Sequence, residues 1–274
     1  MGREAKLMVA VGMKGVGKSW RTERLLDQYA LGSVKSPPRR GLILDVNDEY
    51  TKYKPISISQ LPLFSVHPQI EIRRIRPFLE EDGAYTKRMT LDDICATLLI
   101  ILDNYKNGLL LIEDPSRYIS DSMPNDLVGA ICTNRHINLD IILHYQSIGR
   151  ITSKVWQNAN IIRFHKQTES VKKHMKKFED KYEFLSIMEA MVNKKYMEGD
   201  LRFFCYADVE TMKIYGNFTD EDFREGVNAF IRQEYSKLVR PLLQYRDDKG
   251  KLMYNHQTAQ DEVRRGLMAY RKTA

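Results

Sequence analysis

Long apolar runs, paired cysteines, internal repeats and low-complexity tracts are all missing from this 274-residue sequence. No uninterrupted apolar stretch approaches the ~20 residues that cross a bilayer, so insertion into a membrane is not expected. The N-terminus is expected to run straight into a strand, with no signal peptide evident, and Lys6 stands where a myristoylation signal takes Ser or Thr. There are three cysteines, Cys95, Cys132 and Cys205, odd in number and widely spaced, which excludes a disulfide frame or a zinc site and fits reduced core residues of a cytosolic protein. Histidine is equally sparse: His136, His144, His165 and His174 form no metal-binding pair on one helix and have no cysteine partner, so they read as core or surface residues.

What is present is an apolar fraction of 43%, enough for a buried core of one large or two modest domains. Lysine and arginine number 43 against 36 acids, for a formal charge of +7. The excess is clustered at Arg73 and Arg74 with Arg76, at Lys172, Lys173, Lys176 and Lys177, and at Arg264 and Arg265. Such clusters serve as phosphate-backbone contacts or simply as solvated faces, and charge alone does not choose between them.

The segment Gly12-Met13-Lys14-Gly15-Val16-Gly17-Lys18-Ser19 fits the P-loop pattern G-x-x-x-x-G-K-[ST] at every fixed position. An apolar run of strand length, Leu7 to Val11, precedes it, and helical spacing resumes at Trp20. In that context the glycines are expected to turn the backbone with positive φ and bring N–H groups to phosphate oxygens. Lys18 would reach the β- and γ-phosphates and Ser19 would ligate Mg²⁺, with residues 12 to 20 as the nucleotide-binding segment.

Further short apolar strands are expected at Leu42 to Val46, Leu109 to Ile112, Leu139 to Tyr145 and Ile161 to Phe164, separated by crossover-length segments. Ile70 to Ile75 alternates like a half-exposed strand, and Ile94, Leu98, Ile101, Leu102 and Tyr105 fall on one helical face. Residues 124 to 134 read as another helix. The fold class implied is α/β, a doubly wound, mainly parallel P-loop NTPase sheet of the ASCE type. Beyond residue 168 come charged helical stretches, a hairpin near Arg202 to Tyr215 and amphipathic helices, giving an ATPase domain over 1–216 and a helical appendage over 217–274.

Leu109 to Asp114 has the form of a Walker B strand, four apolar residues ending in two acids. By position Glu113 is the metal-side acid and Asp114 the one that activates water, although the usual order is Asp then Glu. Asp45, Asp48 and Glu49 follow the second strand, at the rim where open α/β sheets bind ligands; Glu49 is the rival water activator, and these acids fit a solvated turn equally well. Gln146 ends the fourth strand, where a terminal amide would sit beside the γ-phosphate if that strand lies between the P-loop and Walker B strands.

Two further segments carry a family likeness. Leu44-Asp45-Val46-Asn47-Asp48-Glu49-Tyr50 resembles the D-x-x-x-E-[YF] segment of HerA-type ATPases, and Asn134-Arg135-His136 through Tyr145-Gln146 resembles the R-H-to-strand-Q segment of the FtsK–HerA superfamily. Val155 to Phe164 continues the pattern, and the resemblance covers roughly residues 6 to 166. It is nearest to viral DNA-packaging ATPases, with zonula-occludens-toxin-like phage assembly ATPases as relatives. The resemblance implies ATP and Mg²⁺ as cofactors, a homo-oligomeric ring of five or six subunits, sequence-independent contacts to DNA, a viral portal or capsid vertex as partner, and work in the host cytoplasm or on a procapsid. It implies an arginine donated in trans, for which the chain offers Arg135 first, then Arg150, with Arg117 behind them. The basic clusters would be the DNA contacts. A filamentous-phage-type assembly ATPase and a non-motor P-loop protein are the alternatives; the first is expected to carry a transmembrane helix and the second a lid or base-reading motif, neither of which the sequence displays.

Overall fold

The computed structural model describes residues 4–272 apart from 35, 82, 120–128, 130, 132–133 and 179–180. The expected helix at 124–134 falls mostly outside these residues, as does Cys132. The chain divides into two compact units, residues 1–162 and 163–274, so the expected boundary at 216 lies inside the second unit.

The first unit is built on parallel strands. They are β1 (Leu7–Val11), β2 (Gly41–Leu44), β3 (Lys54–Pro55), β4 (Ile72–Ile75), β7 (Leu109–Glu113) and β8 (Asp140–Tyr145), in the sheet order β1-β8-β7-β2-β4-β3. Every pairing among them is parallel. β2, β7 and β8 are buried at every position, the signature of a sheet covered on both faces. The helix α1 (Lys18–Leu31) follows β1 and buries Leu26 against Ala10, Ile43, Leu111 and Ile142 of the sheet.

A short helix α2 (Leu61–Val66) precedes β4, and α3 (Leu91–Asn104) precedes β7. Thr90 and Asp93 cap α3 reciprocally, satisfying donors that the first turn leaves open. Its buried residues Ile94, Thr97, Leu98, Ile101 and Leu102 recur at helical spacing. Between β4 and α3 stands an antiparallel ribbon, β5 (Phe78–Glu81) and β6 (Ala84–Arg88), which no sequence motif announces. A short helix α4 (Ser153–Asn158) leads to β9 (Ile161–His165).

The second unit holds a short helix α5 (Met175–Phe178), a long one α6 (Tyr182–Met197), the hairpin β10 (Phe204–Asp208) and β11 (Lys213–Tyr215), and helices α7 (Asp220–Gln233), α8 (Tyr235–Leu238) and α9 (His256–Met268). α7 turns Phe223, Gly226, Val227, Phe230 and Ile231 inward. A Cβ on Gly226 would meet Met191 and stand 3.2 Å from the Ile187 carbonyl, so glycine lets α7 approach α6 closely. That packing is why the helices past residue 216 group with α6. Among the described residues no helix is long and apolar enough to cross a membrane.

Gly108 marks the tightest point before β7. A side chain there would run into the Tyr105 ring and stand 2.9 Å from the Arg40 carbonyl, which itself accepts from Tyr105 Oη at 2.8 Å and from the Leu109 amide at 2.9 Å. Gly108→Ala is therefore expected to cost about 1–3 kcal/mol of stability by overpacking. Urea unfolding should show a lowered midpoint with an unchanged slope.

Candidate nucleotide site

The parallel register brings three strand ends to one rim. β8 lies between β1 and β7, with Val11 opposite Tyr145 and Glu113 opposite His144. The Gly12 amide donates to the Tyr145 carbonyl at 3.1 Å, which holds the start of the P-loop segment against the end of β8. Gly15 and Gly17 have φ of 85° and 83°, a conformation that side chains resist, whereas Gly12 is not among the positive-φ residues. Gly17 caps α1 without any side-chain hydrogen bond, and no acid stands in the first turn. The positive end of α1 is therefore left open to an anion.

Lys18 Nζ folds back onto its own loop, donating to the carbonyls of Gly12 at 2.5 Å and Met13 at 2.8 Å. Val16 is buried, Lys14 is exposed, and Trp20 is exposed with the Arg24 guanidinium 3.9 Å from its ring centroid.

Glu113 is 6% exposed and closely held. Its Oε1 accepts from the Tyr50 hydroxyl and from His144 Nδ1, the latter at 2.8 Å, and its own carbonyl accepts from Tyr118 Oη. Burial pushes the Glu113 carboxyl up, but His144, Tyr50 and Lys18 outweigh it and the net direction is down, so the group is held ionised. The Ser19 hydroxyl acts against the upward push that burial and Glu113 exert on the Tyr50 phenol.

Asp114 takes φ 51°, ψ 45°, a left-handed conformation that ends β7 abruptly and turns its side chain along the rim. Its Oδ2 accepts from Gln146 Nε2 at 2.8 Å, while Oδ1 is buried without a hydrogen bond. Burial, then the charge of Glu113, pushes its carboxyl above the usual carboxylate range. Glu49, exposed on the loop after β2, moves in the same direction through burial and the charges of Glu113 and Asp45, with Lys14 acting against them.

This architecture has a counterpart among solved proteins. The genome packaging NTPase from Sulfolobus turreted icosahedral virus 2, in complex with AMP, superposes with a TM-score of 0.52 at 18% identity, over 79% of this chain and 99% of that one. The chain has the fold of a viral genome-packaging NTPase. The same viral protein in complex with ATP-gammaS gives a TM-score of 0.50 at 18% identity, over 78% and 97% of the two chains. The N-terminal domain of zonular occludens toxin from Neisseria meningitidis gives 0.36 at 12% identity, over 59% and 76%, too slight a likeness to bear inference. No protein-family model matches the sequence, and no curated protein is similar to it. The packaging-NTPase fold agrees with the fold class and the viral-packaging resemblance read from the motifs.

Within this fold some expected site residues converge and others do not. The P-loop segment, Glu113, Asp114, Gln146 and Glu49 share one rim, and Arg117 and Arg150 are exposed on segments leaving it. Arg135 is elsewhere. It precedes β8 at the amino-terminal edge of the sheet and pairs with Glu4 at 2.7 Å, so it is on the opposite rim from the P-loop turn.

Asp45 and Asp48 are both tied into ion pairs with arginines of β4 and the residue that follows it. The carboxylate of Asp45 is fully buried, accepting from the amides of Glu49 and Tyr50 at 2.9 and 3.0 Å and from Arg74 at 2.8 Å. The guanidinium of Arg76, and then that of Arg74, hold the Asp48 carboxyl down to about 2. Arg74 is itself buried and also donates to the Tyr53 carbonyl, which removes it from the expected DNA contacts. Arg73 is half-buried against Glu71.

In the second unit Lys172 pairs with Glu234 and Lys173 with Glu169, and Lys176 is exposed beside the half-buried Lys177. Sequence reasoning missed Thr22, Tyr50 and His144 around Glu113. A lone histidine in an apolar strand carries no signal until its cross-strand neighbour is known to be an acid.

Arg74 joins the buried Asp45 to the partly exposed Asp48, and removing it strands the Asp45 charge. Arg74→Met should lose about 3–5 kcal/mol of stability, as removal of one partner from a buried ion pair does. Arg74→Lys, which keeps the charge, should lose less in the same denaturant titration.

Proposed function

We propose that this chain is an ATP-driven DNA translocase of the FtsK–HerA superfamily, the genome-packaging ATPase of a virus or phage, acting as a homo-oligomeric ring. The observation that carries the reading is the convergence of the P-loop turn, Glu113, Asp114 and Gln146 at the carboxyl ends of adjacent parallel strands, in a fold shared with a genome-packaging NTPase.

The nucleotide's phosphates fit the open end of α1, and Lys18 exchanges the carbonyls of Gly12 and Met13 for β- and γ-phosphate oxygens. Mg²⁺, when bound, neutralises charge on the phosphates. Ser19 and Glu113 are the residues that would hold it. They fit the task as hard oxygen donors, a hydroxyl in the first turn of α1 and a carboxylate held ionised at the end of β7, the kind that Mg²⁺ takes while keeping much of its water. Among the described residues no cluster of three or more His, Cys, Asp or Glu could hold a metal by itself, and a phosphate-bound Mg²⁺ needs none.

Asp114 is the general base in this reading. Its raised affinity for a proton suits that task, and Gln146, bonded to it, orients the attacking water. Glu49 is the alternative base. Arg135 and then Arg150, both exposed, are the candidates for the arginine given in trans to a neighbouring subunit's nucleotide. The lysines at 172, 173, 176 and 177 supply backbone contacts to DNA, so affinity should fall steeply with salt, with a slope of about −0.9 per phosphate neutralised on duplex DNA.

Steady-state hydrolysis with and without duplex DNA tests the reading. Wild type should hydrolyse ATP faster with DNA, and Lys18→Ala should abolish turnover. Asp114→Asn should still bind Mg·ATP but turn over at least ~100-fold more slowly, the loss expected on removing a general base. A fully active Asp114→Asn would pass the base role to Glu49; turnover indifferent to DNA across a range of salt would remove the motor.

A further inference from the structure

We propose that Thr22 and His144 are positioning residues that fix which oxygen of Glu113 faces the nucleotide's metal. The inference rests on the nucleotide-hydrolase reading above and extends it to side chains outside the P-loop and the acid pair. Thr22 and His144 are 0% and 1% exposed, among the most enclosed polar side chains of the first unit. Burial of that kind is costly unless each polar atom has a partner, and here the partners form a line.

Thr22 Oγ1 lies 2.7 Å from His144 Nε2, and His144 Nδ1 lies 2.8 Å from Glu113 Oε1. A carboxylate only accepts, so Nδ1 donates to Oε1. A hydroxyl serves Nε2 in either protonation state of the ring. With both nitrogens engaged, a ring flip would set C–H groups against Thr22 and Glu113, so the imidazole has one orientation.

The consequence falls on Glu113. Oε1 accepts from both His144 and Tyr50, whereas Oε2 receives no hydrogen bond among the described residues. Rotating the carboxylate would forfeit two bonds at once, and Oε2 is thereby reserved for a water or ion on the nucleotide side. The anchoring is also directional. Thr22 stands one turn after Ser19 on α1, and His144 stands directly opposite Glu113 in the β7–β8 register. The helix that begins at the phosphate turn thus sets the aim of the acid across two strands. Residues that orient a metal-side ligand from outside typically govern metal affinity by 10- to 100-fold, which gives these a measurable role.

The test is titration of each folded variant, checked by thermal melting, with a fluorescent mant-ATP probe in EDTA and in excess Mg²⁺. Wild type should bind the probe more tightly with Mg²⁺. Thr22→Val, which removes the hydroxyl at constant shape, and His144→Leu should lose about tenfold of that Mg²⁺-dependent gain while keeping wild-type affinity in EDTA. Thr22→Ser and His144→Asn, which restore a hydroxyl and an N–H donor at Nδ1, should recover it. A full Mg²⁺ gain in Thr22→Val and His144→Leu would overturn the proposal alone, as would equal losses in the conservative pair. Failure of wild type to bind the probe at all would overturn the nucleotide reading and this inference with it.

Discussion

The register of β8 between β1 and β7 is the constraint from which the site follows. In a parallel sheet side chains alternate between faces, so a slip of one residue would turn every side chain of the strand to the other side. In the observed register Val11 faces Tyr145 and Glu113 faces His144, so the P-loop turn, the acid pair and Gln146 all leave the sheet at one height. The Gly12 amide on the Tyr145 carbonyl extends that alignment beyond the last strand pair. Apolar burial on both faces enforces the register: β7 and β8 are enclosed throughout, and α1 closes one face through Leu26.

Around this frame, buried polar groups are arranged in chains that satisfy one another. Asp45 caps the loop carrying Tyr50 and is neutralised by Arg74; Tyr50 reaches Glu113; Glu113 is met from the other side by His144 and Thr22. The ionised form of Glu113 survives burial because these donors compensate for lost water. Asp114, one hydrogen bond poorer, is driven the other way by the same burial and by the charge of Glu113. Adjacent carboxyls with opposite shifts are suited to different tasks, one as a persistent anion and the other as a proton acceptor.

The strands that build the frame were legible because each is a short apolar run bounded by turn residues, and the phosphate turn because its glycines and lysine sit at fixed spacing. Edges moved by a residue or two: the second strand ends at Leu44 instead of Val46, since Asp45 already turns inward as a cap. The ribbon at 78–88 escaped notice because its exposed faces bury too little to impose alternation. Long-range pairing was invisible as well. Nothing in Asp45, Asp48 or Arg74 as isolated residues tells that they meet across 26 to 29 positions, which is why two acids looked like rim candidates and a structural arginine looked like a DNA contact. Closeness in sequence to a strand likewise does not say which end a residue occupies: Arg135 stands at the start of β8, whereas the P-loop turn and the acid pair gather at strand ends.

The account stands on Lys18 and the acid pair forming one nucleotide site at that rim. The most direct measurement is a crystal structure with Mg²⁺ and a non-hydrolysable ATP analogue. The account expects Lys18 Nζ to leave the Gly12 and Met13 carbonyls for the β/γ-phosphates, with the metal beside Ser19 and Glu113. A saturated crystal in which Lys18 still lies on those carbonyls and the nucleotide sits elsewhere would contradict it.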